Sequence, residues 1–294
     1  MSIPMAADVS VIMPVYNGAK TVERALDSVF AQSVAPCEVI AVDDVSTDDT
    51  RAVLDAYAPR GLTVLRADRN GGAGAARNRG AAAARGTYLA FIDADDQWHP
   101  NKLELQLAGL ADAGPTVQAS CTGYRLVTPL RNEEIRYIDM PAEIGIEELA
   151  GGCAVSPGST LLVSRACFAM VGPFDPTLRR YEDWDWLLRY ARGYRLRLER
   201  AALATVFDDR TGHASALLSL RGIARKHRAS RTFPSATSRL KFESHLLLEK
   251  GAICHRAGRH LEAVLWTAAS LAVYPSRLAR TWASVNRAFG DFTF

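Results

Sequence analysis

The chain has little of what a disulfide framework, a zinc module or a membrane span requires. Its 294 residues include five cysteines: Cys37, Cys121, Cys153, Cys167 and Cys254. The number is odd, the spacings are wide and no Cys-x-x-Cys occurs. A stapled secreted fold and a structural zinc site are not expected, and reduced thiols in a cytosolic compartment fit better. Residues 1–8 lack the basic and apolar regions of a signal peptide. The longest apolar stretch, Ala263 to Tyr274, is interrupted by Thr267 and Ser270 and falls short of the ~20 residues a bilayer takes. Excess charge is missing too. The net charge is +3, too small to imply nucleic acid, which is not an expected partner. A cytoplasmic protein is expected, with peripheral attachment to the inner face of the cell membrane left open.

What is present is an ordinary globular composition, 48% hydrophobic and 23% charged. The length suits one large domain or two small ones. Val9–Met13 is an apolar run stopped by Pro14 and reads as a buried strand. Val22, Leu26, Val29 and Phe30 then recur at helical spacing. Glu38–Val42 reads as a second strand, and Ser46 with Asp49 suits a helix start. Thr63–Ala67 and Thr87–Ile92 follow as strands, with an Ala-rich helix between them. The alternation predicts an α/β fold, a Rossmann-like and mostly parallel sheet flanked by helices. Beyond it, Val117–Tyr124, Thr160–Val163 and Leu196–Val206 are strand-like, and Trp184–Tyr190 is helical. After residue 210 a basic helical extension begins, whose later patterns are divided by Gly258 and Pro275. We divide the chain into a ligand-binding half at 1–110, a second half of the same domain at 111–209, and the helical region at 210–294.

The polar clusters fall at strand carboxyl ends, where such sheets place ligands. Asp93-Ala94-Asp95-Asp96 follows a buried strand. Carboxylates there suit Mn²⁺ or Mg²⁺, which bridge one or two carboxylates to phosphates; the same residues also suit a polar turn with a helix cap. Asp43-Asp44 holds more carboxylate than a cap needs and can accept from a base or ribose. Asn70-Gly71-Gly72, running to Arg77 and Asn78, allows close backbone approach, an anion at a helix start and an arginine for a diphosphate. A flexible loop is the plainer alternative. In Tyr181-Glu182-Asp183-Trp184-Asp185-Trp186 the aromatics can raise a carboxylate pKa or stack on a sugar, or simply form a core beneath an acidic first turn.

Together these segments resemble family 2 glycosyltransferases of the GT-A fold. The resemblance is carried by Val9–Asn17, Val42–Asp48, Asn70–Asn78, Phe91–Asp96, Gly172–Asp175 and Glu182–Asp185, and it covers about Val9 to Arg195. It implies that Pro14, Val15, Tyr16 and Asn17 meet the base and ribose of a nucleotide-sugar. Asp44 would hold the base, as in members using uridine diphosphate. Asn70, Gly72 and Arg77 would face the donor, Asp93 and Ala94 its ribose or sugar. Asp95 would ligate the metal. Asp183 would be the general base of a single inverting displacement. Val45 stands where the family commonly has glycine. Glu182, Trp184 and His213 are further candidates for the acceptor or sugar, although a lone histidine is more often structural. The implied partners are a nucleotide-sugar donor and a saccharide or lipid-linked acceptor in cell-surface glycan synthesis. A sugar nucleotidyltransferase would need a glycine-rich basic loop after the first strand, where Pro14-Val15-Tyr16-Asn17 stands. A degenerate binding protein would not need both Asp95 and Asp183. Residues 210–241 carry eight Arg or Lys and no acid, which suits a solvated surface or an anionic membrane.

Overall fold

Nine residues, β1 (Ala7–Val15), found the sheet. Val9, Val11, Ile12 and Met13 are all fully buried, so both sheet faces are covered and the run needs no polar alternation. The computed structural model describes residues 7–128, 131–136, 140–207, 213–230 and 232–275, with the backbone alone for 7, 131–136, 213 and 214. After β1 come α1 (Val22–Phe30), β2 (Pro36–Asp43), α2 (Thr50–Ala56), β3 (Leu62–Arg66), α3 (Ala73–Ala83) and β4 (Tyr88–Phe91). These give the parallel order β3-β2-β1-β4. Val22, Ala25, Leu26 and Val29 line the buried face of α1, the i, i+3, i+4, i+7 stripe that the sequence shows.

The sheet continues through β9 (Leu162–Ser164), β6 (Val117–Thr128) and β10 (Arg195–Phe207) to β5 (Gln97–Trp98). In sequence order β5 precedes α4 (Lys102–Ala111) and β6. Then come β7 (Arg131–Arg136) and β8 (Glu143–Ile144), which pair with β6 and β10, and α5 (Ile146–Leu149). A one-turn helix α6 (Pro157–Thr160), β9, α7 (Arg165–Val171) and α8 (Glu182–Tyr190) lead into β10. The β9 strand runs antiparallel to β4 and β6, while β6 and β10 are parallel. Thr160, expected in a strand, instead closes α6.

The chain divides into two units. One comprises residues 1–145 and 154–210 and holds the sheet; the other comprises 146–153 and 211–294. The second is helical: α9 (His213–Ala229), α10 (Ala236–Arg256) and α11 (His260–Val273), with α5 against α10. Ser235 caps α10 through a reciprocal capping box with Ser238 and also donates to Glu147 at 2.6 Å. Gly258, in the left-handed region at φ +74°, ends the α10 turn. The pattern expected after Pro275 lies outside the described residues, as does the side chain of His213. No described helix is long and apolar enough to cross a membrane.

Candidate active site

Three parallel strands deliver their next residues to one edge of the sheet. Pro14 and Val15 are still paired within it, opposite Val42 and Asp43, and both are buried. Tyr16 is the first residue to emerge, 54% exposed. Asn17 takes a left-handed φ of +51° and ties two strand ends together. Its Oδ1 accepts from the Thr47 amide at 2.8 Å, and its own amide donates to Ser46 Oγ at 3.0 Å. Ser46 is therefore a loop tie rather than the helix cap its spacing with Asp49 suggested. The α2 start is served by Asp48, which accepts from the Thr50 amide at 3.1 Å.

Asp44 is 3% exposed. Its two carboxylate oxygens accept from the Gly71 and Gly72 amides at 2.8 and 2.7 Å. The carboxylate expected to meet a base is committed to the glycine loop, which it holds in place. Gly72 adopts φ +84°, and a Cβ there would lie 2.7 Å from Arg179 Nη1. The positive φ calls for glycine, while the Arg179 guanidinium is the end of a flexible side chain that can move aside. Arg179 donates to Asn70 Oδ1 at 3.0 Å, and Asn70 Nδ2 donates to the Asp44 carbonyl at 3.2 Å. Asn70 and Gly72 thus belong to one cross-linked loop at the start of α3.

Arg77 lies one helical turn further on and is buried. Its Nη2 donates to Asp93 and its Nη1 to Glu182, each at 2.6 Å. Both terminal nitrogens are engaged by carboxylates, so the sequence reading of Arg77 as a diphosphate partner gives way to an internal clamp. Its Nε has no partner among the described residues. Burial alone would lower the guanidinium pKa, but the charges of Asp93, Glu182 and Asp183 override it and hold the pKa above the ordinary value. Three carboxylates around one cation leave this corner negative.

The Asp93–Asp96 turn shares its work unevenly. Asp93 has a side chain 35% exposed on its open side. Ala94 is buried at 9% and packs in the core. Asp95 is exposed, and its carbonyl accepts from Arg24. Asp96 is buried; its carboxylate accepts from Ser159 Oγ and from the Phe207 amide at 2.9 Å. Burial first, then the charges of Asp93 and Asp95, push its pKa well above the usual carboxylate range. Ser159 also accepts from the Asp93 amide at 3.0 Å, and its carbonyl accepts from Trp98 Nε1 at 2.7 Å. Among the described residues no group of three or more His, Cys, Asp or Glu forms a metal cage. An exposed Asp95 beside a partly open Asp93, in a net negative corner, fits a hard divalent cation. Such an ion takes one or two carboxylates and completes its shell with phosphate and water.

α8 supplies the last group. Tyr181 precedes it in the left-handed region at φ +64°. The first turn is acidic, Glu182, Asp183 and Asp185, as a helix N-terminus favours. Asp183 is partly buried and accepts from the Trp184 amide at 2.7 Å. Burial and the neighbouring Glu182 charge raise its pKa to about 7. Trp184 is completely buried and offers no open face to a sugar. Glu182 is buried against Arg77 and acts inside the clamp instead of facing an acceptor. Asp185 pairs with Arg189 at 3.0 Å, and Trp186 donates to the Gly172 carbonyl at 2.9 Å.

Sequence reasoning missed Gly158, Ser159 and Arg179. A Cβ on Gly158 would meet Asp93 Oδ2 at 2.6 Å and Arg77 Nη2 at 3.0 Å. Nothing in Pro157-Gly158-Ser159-Thr160 distinguishes it from any other turn. Asn78 bonds the Phe174 carbonyl and amide at 2.8 and 2.9 Å, contacts that no local pattern encodes.

Comparison with known proteins follows the same lines. The family model described as "Glycosyl transferase family 2" matches residues 10–169. A putative teichuronic acid biosynthesis glycosyltransferase, TuaG of Bacillus subtilis (strain 168), is 37% identical over 189 residues, 63% of this chain and 73% of that protein. Uncharacterized glycosyltransferases of Rickettsia prowazekii and Rickettsia typhi are 30% identical, and the chain spans 58% of their length. S. aureus TarS 1–349, solved with UDP-GlcNAc, superposes with a TM-score of 0.61 at 19% identity, covering 97% of this chain and 93% of that one. The mannosyltransferase PcManGT from Pyrobaculum calidifontis, solved with GDP-Man and Mn²⁺, gives 0.63 at 23% identity, covering 96% and 81%. These neighbours share the GT-A architecture, a mostly parallel sheet flanked by helices. With the family model matched over more than half of its residues and a relative such as TuaG, the chain belongs to the family 2 glycosyltransferases.

Proposed function

We propose that the chain is an inverting glycosyltransferase. It moves a sugar from a nucleoside-diphosphate donor, a UDP-sugar, to a hydroxyl of a saccharide or lipid-linked acceptor in cell-surface polysaccharide synthesis. The observation that carries this is Asp183, a carboxylate with a pKa near 7 in the corner built by Arg77, Asp93 and Glu182. A general base works best when its pKa lies close to the working pH. The UDP assignment draws on the family resemblance and on a TarS neighbour that holds UDP-GlcNAc. The polysaccharide setting draws on the name of TuaG.

The chemistry balances in one step. Asp183 takes the proton of the acceptor hydroxyl. The acceptor oxygen bonds to the anomeric carbon from the face opposite the leaving group, and the bond from that carbon to the diphosphate oxygen breaks. Asp93, steered by Arg77, receives a donor hydroxyl. The loop of Asn70 to Gly72, with Tyr16 and Asn17, borders the nucleoside. Asp95, exposed beside Asp93, would hold a divalent ion, which when bound would neutralise charge on the diphosphate.

The test is turnover of UDP-sugars with Mn²⁺ and saccharide acceptors, with nucleoside diphosphate release as readout. Asp183→Asn is expected to bind donor like the wild type in calorimetry and to lose transfer by about 10²- to 10⁴-fold. Because Asp183 accepts a proton only when ionised, kcat/KM should rise as pH increases through about 7 and level off above it. Normal turnover by Asp183→Asn would remove the base, release of pyrophosphate would indicate nucleotidyl transfer, and donor binding without turnover would indicate a binding protein. A preference for guanosine donors, such as the GDP-Man bound to PcManGT, would overturn the uridine assignment alone.

A further inference from the structure

The helical unit contains a groove that the transfer reaction does not use. α9 and α10 border a space of about 670 Å³. Leu217, Leu220 and Leu246 give it an apolar floor, and Arg221, Arg225 and Arg228 give it a cationic rim. The three arginines recur at i, i+4 and i+7, which sets them along one face of α9. Arg228 is bound by Glu243, its Nε donating at 2.7 Å. Arg221 and Arg225 are exposed and pair with no carboxylate among the described residues. Residues 210–241 contain no acid at all. Beside the rim, Leu218 is 67% exposed. On the α10 side Lys250, which also lines the groove, lies 3.3 Å over the Trp266 ring of α11.

We propose that this groove docks an anionic phospholipid of a membrane surface, the phosphate at Arg221 and Arg225 and the acyl chain on the leucine floor. The inference goes beyond the transfer reaction and does not depend on it. The two halves of the groove select the occupant together. A free phosphate gains nothing from the leucines. A basic peptide is repelled by the arginines. A second copy of the chain would bring an equally basic face against this one, and like charges disfavour that pairing. An anionic amphiphile satisfies both the rim and the floor, and basic residues near an anionic leaflet add attraction cation by cation.

The test uses the full chain and vesicles of phosphatidylcholine with or without phosphatidylglycerol. Cosedimentation should require phosphatidylglycerol and weaken as salt rises. The double replacement Arg221→Gln with Arg225→Gln should lower partition roughly thirtyfold. Both side chains are exposed, so circular dichroism and soluble donor turnover should be unchanged. Brominated acyl chains should quench the fluorescence of Trp266, and Trp266→Phe should remove that quenching. Three outcomes would overturn the proposal: vesicle binding that ignores phosphatidylglycerol or the arginine pair, equal displacement by millimolar inorganic phosphate, or a dimer in light scattering that vesicles fail to bind. Each leaves the proposed transferase reading standing, because that reading is measured with soluble substrates.

Discussion

Val45 sits between Asp44, which holds the glycine loop, and Ser46, which ties down Asn17. Its φ is +66°, a conformation that a β-branched residue adopts only under compulsion. The left-handed region costs an L-residue about 1–2 kcal/mol, and strain of this kind gathers at sites that hold ligands. The sequence alone shows only a valine in a turn; its positive φ is what gives it a consequence for stability. Val45 is 40% exposed, so little packing is lost with its side chain. Val45→Gly relieves the strain and returns part of the gain as backbone entropy, about 0.5–1 kcal/mol. The expected net effect is a gain of roughly 0.5 kcal/mol in urea unfolding, with the donor loop kept. A loss exceeding 1 kcal/mol would show that Val45 packs usefully and that its backbone is not strained.

At the scale of elements, the first half of the fold was legible and the second only partly. Val9–Met13, Val22–Phe30 and Glu38–Val42 carry periodicity strong enough to place β1, α1 and β2 within a few residues. The carboxyl ends of β1, β2 and β4 bring Asn17, Asp44 and Asp93 to one edge of the sheet. What those side chains do was less legible, because Arg77 meets Glu182 across 105 positions and no local pattern encodes such a contact. Arg77 was offered as a diphosphate partner and is paired with Asp93 and Glu182; Trp184 was offered as a sugar platform or as core and is fully buried. The α6 turn was missed altogether, since four residues give no period, yet its Gly158 abuts the Asp93–Arg77 pair. Gly158→Ala is expected to force Asp93 off Arg77, since the added methyl would lie within 3 Å of both. Alanine is a good helix former, so unfolding free energy should move by less than about 1 kcal/mol. Donor-dependent kcat/KM should fall about tenfold or more, because small displacements at a reacting centre are expensive. Gly114→Ala, where a methyl meets nothing within 4 Å, is the control. Equal activity of the two variants would take α6 out of the site.

Across the whole sheet unit, the site is a network of long-range bonds in place of a local motif. Asn17 binds Thr47, Asp44 binds Gly71, Asp93 binds Ser159, and Arg77 joins α3 to α8. A donor seated on this edge meets residues contributed by most of the unit, so binding should stabilise that unit as a whole. The size follows from mass action. At about one hundred times Kd, a ligand specific to the folded state adds about 2.7 kcal/mol. In a unit of about 200 residues, each kcal/mol raises the melting temperature by roughly 2–4 °C. UDP with Mn²⁺ at that excess should therefore raise the calorimetric transition of the sheet unit by about 5–10 °C. Chelation by EDTA should remove most of the shift, because the net negative corner at Asp93, Asp95, Glu182 and Asp183 disfavours a diphosphate without a cation beside it. Asp183→Asn should keep the shift, because the proposed base would touch the acceptor and not the nucleotide. An equal shift with EDTA present would show that the diphosphate is held without metal. The glycine loop and α3 would then have to supply the positive potential in place of an ion.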